Sequence, residues 1–167
     1  LEGCIPSKAL INAVEVAEAA ETAKRFGFTF GKPEIDLDAL RAFTADVGGG
    51  LTGGIKTLLD KRGVELIRGR ARFTGPNSLA IEGAAISGVD FKQASVATVS
   101  QPIHLPLAEG LDVWSSTDAL SIPEIPERLI VVGGGYIGLE LGLVYAGLGS
   151  RVEVVEFFPR LLPGADA

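Results

Sequence analysis

The sequence predicts an α/β fold, and three observations within residues 129–156 lead to this prediction. Residues 129–132 are a short run of β-branched and leucine side chains, and residues 151–155 form a second apolar run. Residues 139–148 have helical spacing and few helix breakers. Three glycines at G-x-G-x-x-G positions separate the first run from this helix. The order strand, glycine turn, helix, strand is that of a parallel βαβ unit.

Each of the three glycines in this motif has a structural role that a larger residue could not fill. Gly133 lets the chain turn sharply out of the strand, Gly135 lets the backbone approach a pyrophosphate, and Gly138 lets the helix pack close to the strand. The helix N-terminus adds unpaired N–H groups and the positive end of its dipole. Glu156 ends the second strand, where it can accept hydrogen bonds from an adenosine ribose and would repel a 2′-phosphate. The pattern predicts NAD binding; the alternative is a glycine-rich turn without a ligand.

Length and composition exclude several classes of protein. The 167 residues are enough for one domain, or parts of two, with a buried core, and 47% of them are apolar. A net charge of −6 gives no basic surface for nucleic acid, and no apolar run reaches the roughly 18 residues of a membrane span. A single cysteine excludes an internal disulfide framework and is typical of a reducing cytosol, which predicts a cytoplasmic location.

The first half of the chain predicts two helices. Apolar residues recur at three- and four-residue spacing from Leu10, and Gly27 is a plausible helix stop. Asp36 or Asp38 can cap a second helix, which keeps its period to about Lys61. Its glycines weaken the helix by up to about 1 kcal/mol each relative to alanine, which predicts a softened or bent helix.

Short strands are predicted next, at residues 64–68, 70–73 and 79–81, with a turn at 75–77, and again at 94–98. Prolines punctuate the connector that follows. Trp114 and the only histidine, His104, are interpreted as packing or surface residues, and no cluster has metal-ligand spacing.

Cys4 lies at the predicted start of the first helix. The helix dipole there stabilises a thiolate, and Lys8, one turn along on the same face, would add to the effect. A lone cysteine in this place is more often a small buried hydrophobe, so both interpretations stay open.

Several motifs agree in order and spacing with one family of enzymes. They are GCIPSKAL (3–10), GRARFTGPN (69–77), STDAL (116–120), VVGGGYIGLELG (131–142) and LLPGAD (161–166). Together they resemble the flavin-dependent pyridine nucleotide–disulfide oxidoreductases, and IPSKAL is most similar to the members that oxidise dihydrolipoamide. Those members pass electrons through a redox disulfide and FAD to NAD. The resemblance implies Rossmann-like nucleotide-binding domains: a partial FAD-binding domain with a small β meander at 1–106, a connector at 107–125 and the opening βαβ of an NAD-binding domain at 126–167.

The resemblance also implies roles for individual residues. Cys4 resembles the flavin-proximal cysteine of the redox disulfide, Lys8 the lysine beside the flavin, and Glu140 the acid that pairs with this lysine and contacts the nicotinamide. FAD contacts are implied at Lys8, Ala71, Thr98, Val99 and Ser100, and NAD contacts at Gly133, Gly135, Tyr136, Ile137, Gly138, Glu140 and Glu156. We therefore predict that Lys8 and Glu140 form an ion pair, that both are partly buried, and that the first helix packs against the βαβ unit.

Three departures from the family pattern bear on function. The partner cysteine, five positions before Cys4, is not in the sequence, and neither is the N-terminal FAD fingerprint, so we expect a fragment that is inactive by itself. The resemblance implies a homodimeric parent that works with 2-oxo acid dehydrogenase complexes. Val99 stands where the family usually carries glycine. Either the local path differs, or FAD contact is weakened, or the sequence is imperfect. Two other interpretations stay open: a mercuric or glutathione reductase type, and a non-catalytic nucleotide-binding module in which Cys4 is inert.

Overall fold

The computed structural model describes residues 3–103 and 105–164. The chain divides into two compact units, Leu1–Leu51 with Pro102–Ala167, and Thr52–Gln101. The α-helices are α1 (Cys4–Thr22), α2 (Leu37–Lys61), α3 (Ser116–Leu120) and α4 (Tyr136–Leu148). Short 3₁₀ helices cover Ala23–Phe26 and Pro106–Ala108. Among the described residues, no helix combines the length and apolarity that a membrane crossing needs.

Helices α1 and α2 form where the apolar spacing predicted them. The chain leaves the 3₁₀ turn after α1 at Gly27, which has φ +88° and confirms the predicted stop. At the start of α2, the Asp36 side chain accepts a hydrogen bond from the Ala39 N–H at 3.0 Å, which confirms the predicted cap. The helix then continues to Lys61 despite its glycines.

An antiparallel three-stranded sheet lies in the unit Thr52–Gln101. Its strands are β1 (Arg70–Gly75), β2 (Ser78–Glu82) and β3 (Gly88–Asp90), in that order, with Arg70 opposite Glu82. The predicted strands at 70–73 and 79–81 and the turn between them are confirmed, whereas β3 was not predicted.

Two strand predictions in this unit are wrong. Residues 64–68 and 94–98 are irregular, and neither pairs with any strand in the described part of the chain. Val64, Leu66 and Val96 are 48%, 54% and 68% exposed. These two apolar runs do not form strands because neither has a neighbouring strand to pair with in the described part of the chain.

The second sheet contains β4 (Arg128–Val132) and β5 (Arg151–Val155), which are parallel and in register from Arg128–Arg151 to Val132–Val155. Helix α4 connects them, which confirms the predicted βαβ unit. The helix begins at Tyr136, directly after Gly135 and three residues earlier than predicted, so Gly138 lies inside its first turn. The molecule is thus an α/β protein with the parallel βαβ unit of a Rossmann-type domain.

The core of the unit Leu1–Leu51 with Pro102–Ala167 lies between α1 and α4. Its most buried members are Leu10 and Val14 from α1, Val144 and Tyr145 from α4, and Ile122 from the segment after α3. The approach is close because Gly147 of α4 lies directly against the Val14 side chain. The predicted packing of the first helix on the βαβ unit is confirmed.

Aromatic and polar contacts complete this core. The Trp114 ring lies 6.0 Å from the Tyr145 ring, which confirms Trp114 as a packing residue. The buried Tyr145 hydroxyl donates a hydrogen bond to the Ala119 carbonyl at 2.9 Å, and burial raises the pKa of Tyr145 to about 12. The core therefore holds the C-terminal half of α4 in one position relative to α1 and α3.

Helix α3 was not predicted, although its cap is visible in the sequence. The Ser115 side chain accepts a hydrogen bond from the Asp118 N–H, and the Asp118 carboxylate accepts one from the Ser115 N–H at 2.8 Å. The Ser115 hydroxyl also donates to the Asp118 carboxylate at 2.6 Å, and this bond, followed by the one from the Ser115 N–H, lowers the pKa of Asp118. The pattern Ser-x-x-Asp is a capping box.

Candidate functional site

The glycine turn joins β4 to α4 with the geometry that the motif predicted. The Gly133 N–H donates to the Val155 carbonyl at 2.8 Å, and its φ of +111° lies in a region that favours glycine. A Cβ at Gly138 would overlap the Gly133 carbonyl oxygen and lie 3.0 Å from Val131 Cγ1. Both roles predicted for these glycines, the sharp turn and the close helix–strand packing, are therefore observed.

Within the described part of the chain, the first turn of α4 begins with free N–H donors. Gly135 is the N-cap and offers no side-chain cap, so the following N–H groups have no partner inside the helix. A Cβ at Gly135 would meet nothing within 4 Å, which leaves open space above the turn. Free N–H groups, open space and the helix dipole together suit a phosphate group.

Glu156 lies beside this turn, at the end of β5. Its Oε1 accepts a hydrogen bond from the Phe158 N–H at 2.8 Å, and its Oε2 accepts one from the Gly134 N–H at 2.5 Å. These two backbone bonds lower the pKa of Glu156, the one from Phe158 most. The acid is thus ionised and fixed next to the glycine turn.

The segment after β5 folds back over the turn. The Leu162 N–H donates to the Gly134 carbonyl at 2.9 Å, and the Leu161 side chain leaves no room for a Cβ at Gly134. The last two residues of the LLPGAD motif, Ala165 and Asp166, lie outside the described residues, as does His104.

Lys8 and Glu140 form the predicted ion pair. Lys8 Nζ lies 2.6 Å from Glu140 Oε1, across 132 positions of sequence. The prediction that both are partly buried is wrong for Lys8, whose side chain is 59% exposed, against 30% for Glu140. A lysine reaches a partner with its long aliphatic stem and leaves its ammonium group in water.

Ser7 also contacts Glu140, and sequence reasoning missed it. Its hydroxyl lies 3.1 Å from Glu140 Oε2 and 3.2 Å from the Cys4 carbonyl oxygen. The available signal was helical spacing, because positions 4, 7 and 8 share one face of a helix. The Lys8 hydrogen bond is the main cause that lowers the pKa of Glu140, the Ser7 hydrogen bond acts in the same direction, and burial opposes both.

Cys4 is the first residue of α1 and a free, exposed thiol. The interpretation of Cys4 as a buried hydrophobe is therefore wrong. Cys4 lies at the end of a helix where the dipole stabilises negative charge.

The residues implied in FAD binding lie mainly in the other compact unit. Ala71 pairs with Ile81 in the three-stranded sheet, and residues 98–100 are irregular. Val99 is 91% exposed and has φ +59°, a conformation that favours glycine and strains a β-branched residue. No group of acids, histidine or cysteine in residues 3–103 and 105–164 is arranged to hold a metal ion.

Comparison with known families decides the classification. The family model described as "Pyridine nucleotide-disulphide oxidoreductase" matches residues 1–167. The chain belongs to the pyridine nucleotide-disulphide oxidoreductase family. The chain is similar to the curated dihydrolipoyl dehydrogenase of Vibrio parahaemolyticus, with 46% identity over 98% of the chain. It is also similar to those of Thermus scotoductus (45% identity over 98% of the chain) and Haloferax volcanii (42% over 99%).

These relatives are longer than the oxidoreductase chain described above. The match covers 35% of the Vibrio and Thermus proteins and 36% of the Haloferax protein. The chain therefore spans about a third of the length of the curated relatives it matches.

Proposed function

We propose that this chain is part of a dihydrolipoamide dehydrogenase that passes electrons from dihydrolipoamide through a redox disulfide and FAD to NAD. The observation that carries the proposal is the cluster of Cys4, Ser7, Lys8 and Glu140, which joins the start of α1 to α4 next to the glycine turn. This cluster supports the proposal independently of the family match, because it is an observed arrangement of an exposed thiol one helical turn from an ion pair.

The thiol side of the proposed site is the start of α1. Cys4 is the proposed electron-donating thiolate, stabilised by the helix dipole. Lys8 is the positive charge one turn away, and its Nζ lies 2.6 Å from Glu140 Oε1. FAD, when bound, supplies the acceptance of an electron pair from a thiolate and the delivery of a hydride to NAD.

The NAD side is the glycine turn with α4 and Glu156. Gly133, Gly135 and Gly138 shape a turn with open space and free N–H groups for a pyrophosphate. Glu156 is ionised and held beside the turn, which suits a ribose diol and disfavours a 2′-phosphate. Tyr136 and Ile137 are 64% and 47% exposed in the first turn of α4, and Ile137 lies one turn before Glu140. This spacing supports a nicotinamide contact for both Ile137 and Glu140.

The remaining assignments rest on the resemblance. We assign residues 1–106 to a partial FAD-binding domain, 107–125 to a connector and 126–167 to the start of an NAD-binding domain. FAD contacts are proposed at Lys8, Ala71, Thr98, Val99 and Ser100. The parent is proposed to be a cytoplasmic homodimer that works with 2-oxo acid dehydrogenase complexes, and the chain by itself is proposed to be inactive.

The direct test is turnover of dihydrolipoamide with NAD by the full-length protein. We expect activity with NAD, little with NADP, and a long-wavelength charge-transfer band on partial reduction that Cys4→Ser abolishes. A clear preference for NADP, or turnover of oxidised glutathione or mercuric ion instead, would favour the other reductase types. Unchanged behaviour of Cys4→Ser, or threonine or serine five positions before Cys4, would favour a non-catalytic module.

A further inference from the structure

Ser7 is a buried polar residue within the cluster around Glu140. It is 6% exposed, and its single hydroxyl lies within hydrogen-bond distance of two acceptors, the Glu140 carboxylate at 3.1 Å and the Cys4 carbonyl at 3.2 Å. One hydroxyl proton can be given to only one acceptor at a time. A charged acceptor forms the stronger bond, so the ionised carboxylate takes the proton.

Lys8 cannot by itself hold the Glu140 carboxylate in one orientation. Its side chain is 59% exposed and has four rotatable bonds, and ion pairs this exposed contribute little and are screened by salt. Ser7 has a short side chain, and its neighbours Pro6, Ala9 and Leu10 are buried with it. Ser7 is therefore the rigid contact, and Lys8 the mobile one.

We propose that Ser7 is a positioning residue for Glu140: it fixes Oε2 so that Oε1 faces Lys8, and it favours the ionised carboxyl. This rests on the proposed function only in giving Glu140 a role at the nicotinamide.

The first test measures the titration of the Glu140 carboxyl in the full-length protein. With carbon-13-labelled glutamate, the Glu140 signal is identified by its loss in Glu140→Gln. Ser7→Ala should raise the pKa of Glu140, and Ser7→Thr, which keeps the hydroxyl, should restore it. Ser150→Ala is the matched control, because Ser150 is equally buried at 6% and donates to the Pro126 carbonyl at 2.6 Å, away from the cluster.

The outcomes separate positioning from simple stabilisation. A Glu140 signal that titrates alike in wild type and Ser7→Ala would overturn the proposal, as would an equal shift in Ser150→Ala. Loss of thermal stability in Ser7→Ala without a shifted titration would show a structural role only, and would also overturn it.

The second test is kinetic. Ser7→Ala should slow hydride transfer to NAD by about ten- to a hundredfold, with the KM for dihydrolipoamide unchanged, because a small displacement of a positioned group can cost about that much. A fall only in dihydrolipoamide affinity would contradict the proposal. If the wild-type protein does not turn over dihydrolipoamide, the proposed function fails, while the titration still decides the role of Ser7.

Discussion

Gly138→Ala should destabilise the protein, although alanine is the better helix former. A methyl group at this position overlaps the Gly133 carbonyl oxygen and lies 3.0 Å from Val131 Cγ1. The turn cannot easily move away, because Gly133 is held by its hydrogen bond to the end of β5 at 2.8 Å. Helix α4 would therefore have to shift away from β4.

Gly142 provides a matched control one turn further along α4. A Cβ there would lie 3.5 Å from Val152 Cγ1 and 3.7 Å from Val131 Cγ2, which is ordinary contact. Both substitutions gain about 1 kcal/mol of helix propensity. Gly142→Ala also buries a methyl group, worth about 0.8 kcal/mol, whereas Gly138→Ala incurs an overpacking cost of about 1–3 kcal/mol. Their free energies of unfolding should therefore differ by about 2–4 kcal/mol.

The assay is urea unfolding of both variants beside the wild type, with thermal unfolding as a second readout. Gly142→Ala should lie above the wild type and Gly138→Ala at or below it, with midpoints at least about 4 °C apart. Equal stability of the two variants would refute the reasoning, because it would show that the approach of α4 to the glycine turn does not restrict position 138.

Three further predictions concern strain, charge and the core. Val99→Gly should raise the free energy of unfolding by about 0.5–1 kcal/mol. The left-handed conformation costs valine about 1–2 kcal/mol, whereas the greater chain entropy of glycine costs about 0.5–1 kcal/mol. Val96→Gly, at an exposed valine without positive φ, is the control and should lower the free energy of unfolding in thermal unfolding of both variants. Hydrogen bonding from Lys8 lowers the pKa of Glu140 below its ordinary 4.5, so its contribution is complete above that pH and is lost as pH falls through the folded-state pKa. The stability difference between wild type and Glu140→Gln in urea should accordingly shrink below pH 4.5, and a constant difference would contradict this. Tyr145→Phe should cost about 0.5–1.5 kcal/mol in urea unfolding, because a buried hydroxyl bond at 2.9 Å is lost, and no cost would show that the bond does not stabilise the core.

The elements that could be predicted from sequence are those whose signal is local. Helix α1, the βαβ unit and the Asp36 cap depend on periodicity, glycine geometry or one side chain, and each is observed. The strands predicted at 64–68 and 94–98 fail because pairing depends on a partner elsewhere in the chain. Helix α3 shows the reverse case, since its Ser115–Asp118 capping box was a local signal that was overlooked.

The same distinction between local and long-range signals applies to the residues of the candidate site. The family resemblance placed Lys8 and Glu140 in one site, where opposite charges stabilise each other, so the ion pair could be predicted. The exposure of Lys8 could not be predicted, because it depends on the path of its side chain over the surface. Ser7 was missed because a serine in the first turn of a helix is ordinary until the acid from α4 is seen beside it. Its buried hydroxyl is a property of packing, which spacing does not reveal.

The contact between α1 and α4 also has a consequence for the order of folding. Ser7 and Glu140 are 133 positions apart, so their contact closes a very long loop and contributes heavily to contact order. On a ribosome that adds about 5–20 residues each second, α4 would emerge on the order of ten seconds after α1. Leu10 and Val14, which α4 covers in the finished protein, would remain open to water or to a chaperone during that interval. The cluster around Cys4 would therefore be among the last parts of the chain to assemble.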